Sequence, residues 1–373
     1  MAKGKAGKKA PPAQQSKSSN RLVTVLVVFA VLVAIRAATS DSSWQSWSDN
    51  PLSDRRHHFA DPGVLHAADQ YIAYGTSARS CPDAGCPMYW VPRYTAPTLK
   101  HQAELADDAM PDMPAWVDPD DRGIWAPSVA HIGDQYVMYF AATAGPGGGL
   151  PAGAKCLGLA TSRSADGPFT PSPHALWCAD GGFWALDPYP VRDGDRWFLL
   201  WREDDAANVR GKIVAAAITP DGLGFAGGSD KATLMIGEVP WEDGGGGRSG
   251  GGIGPIENPA IARHPETGQW LLTWSANRWE TRDYATGLAT CMGPLGPCAR
   301  VSREEPWLRT SDDPSIDTGA SFSGAGGLTF VPDGDRLYVV FHAYRDDDGD
   351  IGARVAWAYR VVVDDNAYRL AEF

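Results

Sequence analysis

The chain has 373 residues, 43% of them hydrophobic and 10% aromatic, which is ample for a large core. Its net charge is −12, and residues 1–21 hold six basic side chains and no acid, so the remainder carries −18, which is −12 less those six. A folded part this acidic lacks the basic footprint that phosphates require, which excludes a nucleic-acid partner and leaves neutral substrates and cations.

Residues 1–21 read as a basic, unstructured leader on the cytoplasmic side. Residues 22–38 follow as a targeting segment. Its centre, "LVTVLVVFAVLVAI" (22–35), is apolar except for Thr24. Fourteen residues fall short of a full span and suit a signal-peptide core. The long basic leader suits equally an uncleaved anchor with its basic end inside. Either way the chain is expected to be exported, to the exterior or the cell surface, and an uncleaved segment would tie it to the membrane. Residues 39–54 read as a linker, and 55–373 as one folded domain.

High counts of Gly (42), Pro (29) and Trp (15), with few helical patterns, point to many short strands joined by turns. The six cysteines fall in local pairs: Cys81 with Cys86, Cys156 with Cys178, and Cys291 with Cys298. Disulfides in an oxidising compartment are the simplest reading, although sequence alone leaves many pairings open. No Cys-x2-Cys pair or nearby His pair supports the rival zinc site.

A unit of about 65 residues recurs. It opens "DPGVLHAADQYIAYGTSA" at Asp61, "APSVAHIGDQYVMYFAAT" at Ala126, "DPYPVRDGDRWFLLWRED" at Asp187 and "NPAIARHPETGQWLLTWSAN" at Asn258. The prolines, 62, 127, 188 and 259, are 65, 61 and 71 residues apart. A fifth segment, "GAGGLTFVPDGDRLYVVFHAY" from Gly324, has the same layout, with Ala325 at the proline position. Each unit reads as a short strand, a tight polar turn and an aromatic-rich strand apolar on both faces. This pattern predicts an all-β, five-bladed β-propeller, with buried strands stacked between blades. Proline donates nothing to a ladder, so it belongs at a strand's start.

If the repeat holds, the residues before these prolines share one location near the propeller axis. Asp61, Asp187 and Glu257 then converge, with Trp125 at the edge. Clustered carboxylates raise one another's pKa, which suits glycoside hydrolysis: one protonated carboxyl serves the leaving oxygen and one carboxylate activates water. Trp125 would offer an apolar face to a sugar ring.

These segments resemble glycoside hydrolase family 43, five-bladed propellers acting on arabinose- and xylose-containing glycans. The resemblance spans most of 55–345. "ADPGV" resembles the segment bearing the general base, which implies Asp61. "GIWAPSV" resembles the Trp-Ala-Pro motif of the second blade. "ALDPYPVRDGDRW" implies Asp187 as the carboxylate that orients the acid and holds up its pKa. "PIENPAI" implies Glu257 as the general acid, with Asn258 in place of the usual Gly. The resemblance further implies a sugar-contacting Arg278 in "WSANRWE", an inverting mechanism and a polysaccharide or oligosaccharide substrate. It implies no organic cofactor. Gly327 stands where the family's fifth blade often carries a His near an axial ion, which puts an axial calcium in doubt. His342, in "VVFHAY", matches a His common to the last blade and reads as a core residue.

The alternative of another class is a non-catalytic cell-surface propeller that binds glycan. Two further runs carry no site. "DGGGGRSGGGIGP" from Asp243 lacks the Gly-Lys-Ser/Thr of a phosphate loop and reads as a loop leading to Glu257. "RDDDGD" from Arg345 lacks EF-hand spacing and reads as a solvated turn.

Overall fold

The computed structural model describes residues 1, 52–53, 58–81, 83–146, 149–180, 184–204, 211–228, 230–243, 256–310, 322–345, 353–365 and 367–371. The leader, the targeting segment, most of the linker, the glycine-rich run 244–255 and residues 346–352 lie outside them. No helix among the described residues is long and apolar enough to cross a membrane.

Five antiparallel sheets follow one another along the chain. Blade 1 orders β1 (Gly63–Ala67), β2 (Gln70–Tyr74), β5 (Pro92–Ala96) and β6 (Glu104–Asp108). The short ribbon β3 (Ala78–Arg79) and β4 (Met88–Tyr89) is set between β2 and β5 in the chain. Blade 2 orders β7 (Trp125–Ile132), β8 (Gln135–Thr143), β9 (Lys155–Ser162) and β10 (Thr170–Pro171), with β11 (Trp177–Cys178) also paired to β9. Blade 3 comprises β12 (Ala185–Asp193), β13 (Arg196–Asp204), β14 (Gly211–Ile218) and β15 (Ala232–Ile236). Blade 4 comprises β16 (Ile256–Arg263), β17 (Trp270–Ala276), β18 (Ala285–Cys291) and β19 (Cys298–Arg300). Blade 5 comprises β20 (Phe322–Asp333), β21 (Arg336–Arg345), β22 (Val355–Asp364) and β23 (Ala367–Ala371). The predicted five-bladed propeller is the observed fold.

Local chemistry explains the hairpins. Ile132 pairs with Gln135, Asp193 with Arg196, and Asp333 with Arg336, leaving the two-residue turns Gly-Asp. Their glycines, Gly133, Gly194 and Gly334, all have positive φ, as turns matched to strand twist require. The second strands are buried on both faces: all seven residues of β17 are buried. Trp201, Trp274 and Trp357 are fully buried between blades. Blade 1 closes against blade 5 through Phe59, Tyr71 and Tyr94 packed on Tyr338, Val340 and Ala358. The Leu52 and Phe59 amides complete that seam by donating to the Ala356 and Arg354 carbonyls.

The three local cysteine pairs are disulfide-bonded, and no cysteine is free. Two of them tie directly paired residues, Cys156 on β9 to Cys178 on β11 and Cys291 on β18 to Cys298 on β19.

One expectation is corrected. The fifth-blade residue at the proline position is Leu328, not Ala325. The residues facing the axis are Asp61-Pro62, Ala126-Pro127, Asp187-Pro188, Asn258-Pro259 and Gly327-Leu328. β20 carries two register shifts, between Ser323 and Gly326 and between Gly326 and Thr329, which displace the count along it.

Candidate active site

Five residues at equivalent places share one unusual backbone. Asp61, Ala126, Asp187, Asn258 and Gly327 have φ of 52°, 45°, 58°, 48° and 59°. In blades 2 to 5 each falls inside a register shift of the innermost strand. A bulge of this kind bends the strand and re-aims a side chain. Left-handed φ is tolerated best by Gly, Asn and Asp, which is what four of the five positions hold. Asn258 therefore serves the backbone where the resembled motif has Gly. The cavity that these axial residues line holds about 30 Å³. That is room for about one or two waters and far too little for a sugar ring.

Asp61, Asp187 and Glu257 do converge. Asp187 Oδ2 accepts the Asn258 N–H at 2.9 Å, and Asn258 Nδ2 donates to Asp61 Oδ1 at 3.4 Å. The same Nδ2 lies 3.0 Å from the Tyr284 hydroxyl, which donates to Glu257 Oε1 at 2.8 Å. Asn258 thus bridges the two sides of the cluster. Only 14% of the Asp61 side chain and 15% of the Glu257 side chain are exposed.

The carboxylates differ in electrostatics. Burial pushes the Asp61 carboxyl up, and the Arg354 guanidinium and the Thr76 hydroxyl, which donates to Oδ2 at 2.6 Å, act against it to hold the pKa below the usual value. Burial and the neighbouring charges of Glu257 and Asp61 push Asp187 well up. Glu257 is also pushed up, mainly by burial, against the opposing pull of Arg202 and Tyr284. Arg202, itself 5% exposed, donates to Glu257 Oε2 at 2.6 Å and grips Asp204 through Nε and Nη2 at 2.9 and 2.8 Å.

His342 is fully buried and stacks at 5.8 Å on Tyr284. Its Nδ1 accepts the Asp61 N–H at 2.9 Å. Burial and Arg354 hold its pKa down at about 3, so it is neutral at ordinary pH. Its 3.5 Å approach to Asp61 Oδ1 is then no ion pair, and Arg354 is the cation that persists beside Asp61. Gly327 makes this approach possible: a Cβ there would lie 2.6 Å from His342 Nδ1 and 3.0 Å from Asp61 Oδ1.

This donor set does not fit an axial calcium ion, which takes six to eight oxygen ligands. Gly327 brings no side chain, and both His342 nitrogens face protein donors, the Asp61 amide and Arg354 Nη1. Cys81 and Cys86, which cluster with Asp83, are bonded to each other and are not thiolate ligands.

Trp125 is half-buried one residue before Ala126, as Glu257 precedes Asn258. It packs into the cluster between blades 2 and 3, with Lys155 Nζ 4.6 Å from its ring centroid. Arg278 is 64% exposed in the turn between β17 and β18, and its guanidinium approaches Glu280 at 3.8 Å. Thr76, Arg202, Tyr284, His342 and Arg354 were not read from sequence as site residues. The one usable signal was Arg202 itself, a charge ending the apolar run "WFLLW".

Residues 48–367 match the family model described as glycosyl hydrolases family 43. The chain belongs to this family. It is a glycosidase built on the family's propeller. Similar solved structures include a thermostable family-43 glycoside hydrolase, 24% identical, covering 84% of this chain and 93% of that one with a TM-score of 0.66. An endo-1,4-beta-xylanase from Bacteroides thetaiotaomicron VPI-5482 is 21% identical over 85% of this chain and 95% of its own, with a TM-score of 0.64. An alpha-L-arabinofuranosidase from Lactobacillus brevis is 18% identical over 87% and 96%, with a TM-score of 0.65. No curated protein matches the sequence.

Proposed function

We propose that this family-43 enzyme hydrolyses O-glycosidic bonds in arabinose- or xylose-containing glycans with inversion at the anomeric carbon. An arabinofuranoside is the first substrate class and a xyloside the second. The observation that carries the reading is the opposed tuning of two carboxyls in one cluster, Asp61 held down and Glu257 held up. Separated pKa values are what assign base and acid. Asp61 takes a proton from water as the water oxygen bonds to the anomeric carbon. The glycosidic C–O bond breaks, and its electron pair receives the Glu257 proton. Asp187 fixes the segment after Glu257 by accepting the Asn258 N–H, and repulsion between the two carboxyls keeps a proton on the pair for the acid to deliver.

Trp125 and Arg278 are the proposed substrate contacts. Trp125 stands next to an axial residue, and Arg278 sits in the turn that leads to Tyr284, whose hydroxyl donates to Glu257. Export is supported by three disulfides, which persist in oxidising compartments. The targeting segment at 22–38 is proposed as signal or anchor, with 55–373 as the catalytic domain.

A panel of nitrophenyl glycosides and arabinans tests the reading with wild type, Asp61→Asn and Glu257→Gln. Wild type turns over, and each variant loses about 10³-fold or more in kcat. Proton NMR of the first-formed sugar reports inversion. Equal activity in all three proteins refutes the assignment. The close Arg202–Glu257 contact favours one rival, a propeller that binds glycan with Glu257 held ionised. Glycan retention without product release from wild type would establish it.

A further inference from the structure

Three basic groups, two of them buried and His58 half-buried, lie behind Asp61 and take no part in the proton transfers above. Arg354, 7% exposed, precedes β22; His342 is on β21; His58 precedes β1. Arg354 Nη1 lies 3.3 Å from His342 Nε2, and Nη2 lies 3.3 Å from His58 Nε2. The Arg354 amide also donates to His58 Nδ1 at 3.3 Å. One guanidinium is therefore set between two imidazoles, and one of those imidazoles holds the backbone N–H of the candidate base.

The arrangement forces the histidines neutral. Two protonated rings against a guanidinium would bury three like charges together. Burial and Arg354 lower His58 to about 4 and His342 to about 3. The 2.9 Å contact from Asp61 N–H fixes Nδ1 of His342 as an acceptor, so the ring proton sits on Nε2. Nε2–H then abuts Arg354 without a shared proton, and what Arg354 contributes is its fixed charge. Trp279, 45% exposed, lays its ring 4.5 Å from the Arg354 guanidinium carbon and screens that charge from water. A cation behind a low-dielectric wall acts further than one in solvent.

We propose that Arg354, acting through His342 and beside His58, is the positioning residue for Asp61: a built-in cation that keeps the base ionised and its backbone in place. The inference rests on Asp61 being the general base. The titratable and charged groups facing Asp61 are His342, Arg354 and His58 on one side and Asp187, Glu257 and Tyr284 on the other. The first three come from blade 5 and the chain entering blade 1, and only Arg354 among them is charged at neutral pH. Removing it leaves Asp61 among carboxylates alone.

The test is the pH profile of kcat/KM, whose acidic limb reports the base of the free enzyme. Arg354→Gln moves that limb up by about one unit or more, a loss of about tenfold in kcat/KM below it, with the alkaline limb less affected. Arg354→Lys keeps the charge and leaves the limb at its wild-type position, even where kcat falls. An unmoved limb in Arg354→Gln, or an equal shift in Arg354→Lys, overturns the proposal. If Arg354→Gln does not fold, Trp279→Ala at the exposed cover admits water to Arg354. It shifts the limb in the same direction by less, and an unmoved limb there overturns the proposal equally. Full activity in Asp61→Asn would instead overturn the assignment of the base, so the two failures are distinguishable.

Discussion

Asp187 Oδ2 accepts the backbone N–H of Asn258 at 2.9 Å, so the third carboxylate grips the residue that follows Glu257. Asp187 has φ of 58°, and its pKa is pushed well up by burial and by Glu257 and Asp61. Asp187→Asn keeps an acceptor for the Asn258 amide and a side chain that tolerates left-handed φ. It removes only charge. The alkaline limb of kcat/KM, which the coupled acid pair governs, moves down by about one unit. Stability moves the other way. A carboxyl whose folded pKa is raised costs stability once pH exceeds its unfolded pKa, and the cost is complete above its folded value. Asp187→Asn should therefore raise Tm at pH 7 by an amount worth about 1 kcal/mol, a gain that vanishes near pH 3. Differential scanning calorimetry at the two pH values checks it; a lower Tm at pH 7 contradicts it.

Tyr284 donates to Glu257 Oε1 at 2.8 Å, and that bond favours the ionised carboxylate. Tyr284→Phe keeps the stack on His342 and removes the donor. A hydrogen bond to a charged group contributes about 1.5–3 kcal/mol, so the Glu257 pKa rises by about one unit. The alkaline limb moves up, opposite to Asp187→Asn, while kcat falls because a weaker acid protonates the leaving oxygen. Profiles of the two variants in one buffer series separate the effects. Shifts of the same sign would contradict the assigned contacts.

The repeat, the hairpin turns and the meeting of Asp61, Asp187 and Glu257 were legible because each depends on residues close in sequence. Proline marks a strand start, and Gly-Asp marks a turn, wherever they occur. The partners were not legible. Thr76, Arg202, Tyr284, His342 and Arg354 reach the carboxylates from the second or third strands of their blades or the turns beside them, and His342 is 281 residues from Asp61. In "YVVFHAY" nothing local separates a histidine that supports a base from one that fills a core. The fifth blade was misplaced by three residues for another reason. "GAGG" offers no side chain to mark the axis, and two register shifts in β20 defeat simple counting.

Gly327 gives the sharpest steric prediction. Its φ is 59°, and an added Cβ would meet His342 Nδ1 and Cε1 at 2.6 and 2.7 Å and Asp61 Oδ1 at 3.0 Å. None of these is the free end of a flexible chain. Gly327→Ala therefore combines left-handed strain of about 1 kcal/mol with displacement of the base. kcat should fall at least about tenfold with a lowered Tm. Gly334 has the same φ, but a Cβ there meets nothing within 4 Å. Gly334→Asn, suited to a turn of this kind, should leave kcat unchanged. Similar loss in both variants would show that backbone strain, not the approach to Asp61, sets the requirement.

Arg202 joins stability to acid function. It pairs with Glu257 and Asp204 from a buried position. Arg202→Met leaves two carboxylates without their cation. Breaking a buried pair from one side costs about 3–5 kcal/mol at a pH where the orphaned groups stay ionised. The Glu257 pKa, already raised, rises further. A group with a raised folded pKa regains stability as pH falls from that value toward its unfolded pKa. The Tm deficit of Arg202→Met should thus be large at pH 7.5 and clearly smaller at pH 5. Thermal unfolding across that range, with wild type in parallel, decides the matter. A deficit independent of pH would mean that Arg202 stabilises by packing against Trp184, whose ring lies 5.6 Å from its guanidinium, and not by compensating charge.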